Sequence, residues 1–385
     1  MFAVAVASFT RVPLLPDIGT DLSLSAGDLG LLTAAFGLGR LLTDLPAGRI
    51  ASSVSPRRGL AAAGISLAAA CVLLATAGSL AQALVAFALV GSASALTNTT
   101  GMYAFATAAG AERRGANMAL FSSALMSGQT FGPAVGGALA ALAGWRGAMV
   151  AAGAVGIAVA ATSVDRWRIA APPARGGPPN PGSEGDDPPS DPGPPAERQE
   201  VAALPSRWEL AAIAATPFTV FFVIGGVSQT LVPLIGGREL GLSASTIGLA
   251  LAAGGAMRFP GAWAAGLGSD RFSRRLVLVP TLSLVALGAV VLALSAGTAG
   301  WIAAIVVLAL GSSAISVAAA ALADRVPRER LGRELGVFRL TGDAGLFAGP
   351  LLAGFLYEAS GTAFAAGVPA AIAAASAVAA LRLSR

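Results

Sequence analysis

Leu22-Ser-Leu-Ser-Ala-Gly-Asp-Leu-Gly30 returns as Leu240-Gly-Leu-Ser-Ala-Ser-Thr-Ile-Gly248, 218 residues further on. The same offset carries Arg40 onto Arg258, Gly48 onto Gly266 and Arg57 onto Arg275. An offset of 217 carries Gly115 onto Gly332, Phe121 onto Phe338, Gly128 onto Gly345 and Gly132-Pro133 onto Gly349-Pro350. One register held over so much of a chain marks two copies of one unit, run in parallel.

The unit belongs in lipid. Of 385 residues, 55% are hydrophobic and 12% charged, where a water-soluble domain carries about 25% charged. Apolar runs near the ~20 residues that a spanning helix needs recur throughout. The basic residues are all arginine. Without lysine there is no Walker-type phosphate loop, and without histidine there are no histidine metal sites or proton relays. The one cysteine, Cys71, lies in an apolar run and reads as a small buried hydrophobe. No metal or other cofactor is expected. The net charge of +5 does not indicate nucleic acid, because the arginines sit in loops between apolar runs.

The apolar runs predict an all-α membrane protein of twelve transmembrane helices in two pseudo-symmetric six-helix bundles. The helices are expected near 1–18, 28–48, 59–79, 82–106, 117–140, 147–164, 209–235, 245–267, 276–296, 300–322, 335–357 and 363–381. With the N-terminus inside, nineteen arginines are cytoplasmic and only Arg146 and Arg238 fall outside. This bias predicts both termini in the cytoplasm. The Pro-rich segment that begins at Ala171-Pro-Pro-Ala cannot bury enough apolar surface to fold. It reads as a disordered linker at 169–207 between a bundle at 1–168 and a bundle at 208–385, with a docking site for a proline-binding partner as the alternative. The first apolar run starts at Met1 with no basic lead. It is expected to be a first spanning helix rather than a signal peptide, with a true start upstream of this Met1.

Two motifs carry a family resemblance. One is Gly266-Leu-Gly-Ser-Asp270-Arg271-Phe-Ser-Arg274-Arg275. The other is Gly128-Gln-Thr-Phe-Gly132-Pro133-Ala-Val-Gly136-Gly137, echoed by Gly345-Leu-Phe-Ala-Gly349-Pro350. With the twelve-helix repeat they resemble the major facilitator superfamily over essentially the whole chain except the linker. The first matches that family's G-x-x-x-D-R-x-G-R-R loop, with Ser273 in place of a glycine. The resemblance implies a cytoplasmic latch, in which Gly266 lets two helices approach and Asp270, Arg271 and Arg274 hold the gate shut. In the first half the loop is degraded: Gly48 is kept, but Ser52 stands where the family has Asp. The second motif looks like the antiporter motif of proton-coupled drug exporters. Its glycines favour close packing and its proline a bend, and Gly128, Gly132, Pro133, Gly349 and Pro350 join the gating set. Helix 4 departs from the exporters, with Phe87 where they carry an arginine.

Charges at membrane depth are costly and are functional candidates by default. Arg11, beside Thr10, falls near the middle of helix 1. The repeat puts Ser228-Gln229 at the same place in helix 7, so Arg11 and Gln229 are expected to face a shared cavity and contact substrate. Arg40 and Asp44 stand four apart on helix 2, and Arg339 and Asp343 four apart on helix 11, a spacing that lets each pair meet on its own helix. Asp44 with Arg40 reads as part of the gate. Asp343 with Arg339 reads as either the proton-coupling site or a structural ion pair. Thr97, Asn98 and Ser316 offer hydrogen bonds to a solute, although such hydroxyls also bond back to their own helix. Phe9, Phe36, Phe131, Phe338 and Trp263 either line an apolar pocket or face lipid.

With no nucleotide site, the expectation is a secondary active transporter of the bacterial inner (plasma) membrane, not an enzyme. It would be a monomer in the lipid bilayer that moves a small-molecule substrate by alternating access. The antiporter-like helix implies multidrug-type efflux of an apolar compound with the proton as coupling ion. The alternatives are uptake of a metabolite or organic anion, and a sensor or scaffold that transports nothing.

Overall fold

The computed structural model describes residues 1–53, 55–107, 114–165 and 207–383. Side chains are described throughout these except at 45, 47–53, 106–107, 114–115, 164–165, 207, 270, 328–329 and 331–332. The linker expected at 169–207 lies outside the described residues but for its last one. Among the described residues the chain is helical and contains no strand.

The helices are α1 (Phe2–Phe9), α2 (Leu15–Asp21), α3 (Ala26–Ser53), α4 (Pro56–Ala75), α5 (Leu80–Thr107), α6 (Arg114–Asp165) and α7 (Arg207–Val223). A π-helical turn, Ile224–Leu231, follows. Then come α8 (Val232–Arg238), α9 (Ala244–Gly255), α10 (Arg258–Arg271), α11 (Arg274–Leu294), α12 (Thr298–Gly311), α13 (Ala314–Arg325) and α14 (Arg328–Ala380). Seven stretches are long and apolar enough to cross a membrane. Two of them, in α6 and α14, are long enough to cross twice, and each reverses at one glycine. α1 with α2, the charged α3, and α9 with α10 make the remaining three crossings, giving twelve spans in two six-helix bundles. An even number of spans puts both termini on one face, here called the termini face.

The reversals correct the sequence reading, which left loops of several residues at 141–146 and 358–362. In α6 the turn is made at Gly144, with φ 69° and ψ 173°. In α14 it is made at Gly361, with φ 74° and ψ −176°. Only glycine adopts this backbone without strain, so one residue suffices for each turn. The two sites are 217 residues apart, and the repeat is thus written into the backbone as well as the sequence.

Four spans expected to be continuous are interrupted. Pro13 and Pro16 have no N–H to give to Phe9 and Val12, so α1 and α2 are separated by a turn at 10–14. The equivalent place in the second half is the π turn, where Thr230 Oγ1 donates to Gly225 O at 2.9 Å. Pro260, lacking an N–H for Ala256, follows the break between α9 and α10. Ser312 and Ser313 donate to Ala309 O (2.7 Å) and Leu310 O (3.1 Å) at the break between α12 and α13.

The repeated motif at Leu22–Gly30 and Leu240–Gly248 builds the joint between the bundles. Ser25 and Asp28 cap the start of α3 reciprocally, and Ser243 Oγ caps α9. The first turns of these helices then pack across the bundle boundary. A Cβ on Gly30 would lie 2.8 Å from Gly354 Cα, and one on Gly354 would lie 2.7 Å from Gly30 Cα. The repeat-related seam brings Gly137 against Ala244 O and Ser245, and Gly248 against Pro133 O. Backbones this close leave no room for a side chain and gain dispersion contacts in their place, which suits a bilayer that offers no hydrophobic drive between helices. Two hydrogen bonds reinforce this end. Gly27 N–H donates to Glu358 Oε2 (2.7 Å) and Arg238 Nη2 to Leu24 O (2.8 Å). The bundles are therefore closed at the face opposite the termini.

Candidate functional site

Arg11 and Gln229 occupy equivalent positions of the two repeats, and the structure brings them into direct contact. Arg11 Nη2 donates to Gln229 Oε1 at 3.0 Å. Arg11 is 2% exposed and Gln229 5%. Each sits where its span departs from α-helix: Arg11 in the turn between α1 and α2, Gln229 in the π turn. Irregular backbone at depth frees polar groups to face a site. The Arg11 guanidinium lies 3.9 Å from the ring centre of Phe36 and 5.1 Å from that of Phe87. Phe87 thus stands where the resemblance implies an arginine, and a guanidinium from the end of α1 lies over its ring. Arg11 Nε is buried with no hydrogen-bond partner. Among the described residues no carboxylate lies within ion-pair distance of Arg11. Thr10, expected to share the cavity, turns back to Val6 O (3.0 Å).

A second polar cluster joins α3 to α14. Arg40 Nε meets Asp343 Oδ1 at 2.9 Å, and Arg339 Nη2 meets Asp44 Oδ2 at 3.2 Å. Ser94 Oγ accepts from Arg40 Nη1 (3.1 Å), and Thr99 Oγ1 donates to Asp44 Oδ1 (3.1 Å) while accepting from Arg339 Nη2 (3.3 Å). This corrects the expected pairing in part, since the Arg40–Asp44 pair does form but is the longer contact. Along α3, Arg40 and Asp44 approach only to 3.9 Å, and Arg339 and Asp343 form no ion pair on α14. The strong pairs run crosswise between the bundles, because facing helices bring oppositely charged forks head-on, whereas one helical turn offers a longer reach. The Asp44 and Asp343 carboxyls also lie against each other. Asp343 Oδ2 is buried and receives no hydrogen bond. Thr99 and Ser94 are members that sequence reasoning missed as ligands of this cluster. Their spacing of five residues is not that of one helix face, so the sequence carried no signal that both turn toward α3.

The other candidates divide. Thr97 is buried and donates to Ala93 O (2.7 Å), so its hydroxyl is used within its own helix. Asn98 is half-buried and Ser316 exposed, and neither side chain is hydrogen-bonded among the described residues. Phe36 and Phe338 are buried, whereas Phe131 (47%) and Trp263 (71%) are exposed. Gly128 and Gly132 pack on Ala5, Phe2 O, Val6 O and Phe9 of α1, while Gly349 packs on Phe222 O of α7 and Pro350 on Gly225. Pro133 O receives Gly248 across the boundary.

On the termini face the loop after α10 differs from expectation. Nothing lies within 4 Å of where a Gly266 Cβ would stand, so Gly266 mediates no close approach here. Arg274 Nε pairs with Asp324 Oδ2 of α13 at 2.8 Å and its Nη1 donates to Ser269 Oγ, while Arg271 is exposed. The Asp270 side chain and the surroundings of Gly48 lie outside what the structure describes. Arg258, the counterpart of Arg40, has its Nε buried without a partner, and the residue four further on is Ala262 rather than an acid.

A search of curated protein sequences gives no significant match. Among solved structures, a bacterial homologue of the human lysosomal transporter Spinster, inward-facing and occupied, is 17% identical with TM-score 0.73, covering 99% of this chain and 92% of that one. A mutant of the nucleoside transporter NupG is 10% identical with TM-score 0.75, covering 99% and 98%. Both likenesses concern the fold. The sequence profile of the Major Facilitator Superfamily matches residues 1–312 and, in a second register, 218–385, and together they span the chain, which therefore belongs to that superfamily of transporters.

Proposed function

We propose that this protein is a proton-coupled secondary active transporter that moves a small, largely apolar compound out across a bacterial inner membrane. The bundles at 1–168 and 208–385 rock about the site at Arg11 and Gln229, with both termini and the linker cytoplasmic, and the working unit is one chain. The observation that carries this reading is the crosswise cluster of Arg40, Asp44, Arg339 and Asp343. It places two carboxylates and two guanidiniums at the boundary that must part, about 15 to 20 Å along α3 from the Gly30 seam.

Every charge in this cluster has two partners available: one across the boundary and one four residues away on its own helix. Parting of the bundles on the termini face breaks the crosswise pairs, and the same-helix pairs then take their place. No charge need be left bare in lipid at any stage, which would be costly. Asp343 Oδ2 supplies the proton site. A proton there gives the two abutting carboxyls a hydrogen bond in place of a repulsion and releases Arg40 from its strongest tie. Proton entry from outside therefore loosens the cytoplasmic side, and proton release inside lets it close on the compound to be exported. The antiporter-like α6, whose glycines pack on α1 and whose Pro133 abuts Gly248, supports exchange rather than symport.

The test uses everted membrane vesicles and a panel of cationic, neutral and anionic fluorescent dyes, with and without a protonophore. The expected outcome is energy-dependent accumulation of at least one dye that the protonophore abolishes. In proteoliposomes, Asp343→Asn should lose transport driven by a pH gradient yet keep exchange of substrate for substrate. Normal pH-driven transport by this variant would remove Asp343 from the mechanism. Accumulation in right-side-out vesicles under an inward proton gradient would reverse the direction assigned.

A further inference from the structure

Arg11 is a cation near the middle of a span, 2% exposed, with no opposite charge beside it among the described residues. Arg40 and Arg339, in the same boundary, each hold an aspartate. What Arg11 has instead is one amide oxygen and two aromatic faces. These neutral groups reduce the cost of the buried charge but do not cancel it. Among the described residues, one of its five N–H donors, on Nη2, is engaged, and Nε is buried and idle. A guanidinium fork is shaped for bidentate pairing with a carboxylate. Arg11 sits at the repeat-related junction of α1–α2 with the π turn, where a residue of each bundle meets the other.

We infer that Arg11 is the recognition point for an organic monoanion, a carboxylate on an apolar or aromatic body, which is the transported compound. One guanidinium balances one negative charge, so a dianion such as phosphate would leave a charge uncompensated. The walls nearest the fork, Phe36 and Phe87, favour an apolar body over a hydrated one. Gln229 is a positioning residue: its oxygen aims the fork and yields as the ligand arrives. Phe36, in turn, is stacked edge-on with Phe9 at 6.5 Å, so the wall under the guanidinium is itself braced. This assignment rests on the transporter reading above for its role, but its chemistry is separable from proton coupling.

The experiment measures binding to the purified full-length protein in detergent by thermal shift and by equilibrium dialysis. The probes are benzoate and phenylacetate, their matched amides benzamide and phenylacetamide, and inorganic phosphate. The expected result is saturable stabilisation by the carboxylates, with none from the amides or phosphate at equal concentration. Arg11→Gln should weaken benzoate binding about 10- to 100-fold, the worth of a charge-assisted hydrogen bond. Arg11→Lys, which keeps the charge and loses the fork, should fall between. Equal binding of amide and carboxylate by the wild type overturns the inference without needing any variant to fold. So does undiminished benzoate binding by Arg11→Gln. Phosphate binding as tight as benzoate overturns the apolar-body assignment. Carboxylate binding without any proton-driven transport would defeat the transport reading and leave the recognition chemistry of Arg11 standing, and proton-driven transport of neutral or cationic dyes alone would do the reverse.

Discussion

At the scale of single residues, the repeat was the most informative signal. It singled out Arg11 and Gln229 together, because two polar groups at one register of two apolar spans need a common environment. What the residue pattern did not carry was their direct bond, which depends on backbone irregularities in both spans. Thr97 shows the opposite limit, since a threonine in an apolar helix looks alike whether it serves a solute or its own carbonyl. Trp301 offers a clean test of the support beneath the site. It is fully buried, and its Nε1 donates to Val232 O at 2.9 Å, at the end of the π turn. Trp301→Phe keeps most of the packing but leaves that carbonyl without its donor, and should cost about 1 kcal/mol. The apparent melting temperature in detergent is expected to fall, and an unchanged value would mean that the bond contributes nothing to the turn.

At the scale of helices, the extents were legible because apolar runs are long, whereas the interruptions were not. A proline such as Pro133 inside α6 is tolerated, yet Pro13 and Pro16 separate α1 from α2, since two missing donors in one turn exceed what neighbours repair. The glycines divide by what surrounds them. Gly144→Ala places a side chain at φ 69° and should cost about 1–2 kcal/mol, although space is free. Gly266→Ala meets neither strain nor neighbours and should leave thermal stability and transport as in the parent protein, which tests whether that glycine serves a close approach in any state of the cycle. The seams behave differently again. Gly30→Val and Gly248→Val drive a side chain into backbone across the boundary, and the pair should shift the population away from the form closed opposite the termini. Spin labels at Thr20 and Thr246 would report this as a longer distance, and an unaltered distribution would argue that the seams do not set the state.

At the scale of the whole molecule, the two-bundle architecture could be read from the sequence, but the charge pairing could not. Spacing of four residues predicted partners on the same helix, and only the approach of α3 to α14 reveals the crosswise set. Both readings matter if the pairs alternate. Asp343→Arg alone puts two guanidiniums face to face and should abolish transport. Adding Arg40→Asp restores an opposite pair across the boundary while making both same-helix pairs like-charged. The double variant should fold and keep the crosswise pairs, with transport reduced about tenfold or more, since like charges one turn apart are disfavoured. Parental transport rates in that variant would show that the same-helix pairs have no part in the cycle.

The crosswise cluster also bears on how the molecule is made. Asp343 follows Arg40 by 303 residues in the chain, which at ribosomal speed is about 15 to 60 s of synthesis. Throughout that interval the nascent first bundle holds Arg11, Arg40 and Asp44 in or near the bilayer with at most one weak tie among them. Such an intermediate should linger beside the insertion machinery rather than diffuse into open lipid. A translation product arrested before α14 should cross-link to the insertase, and release should coincide with emergence of the helix that completes the electrostatic handshake.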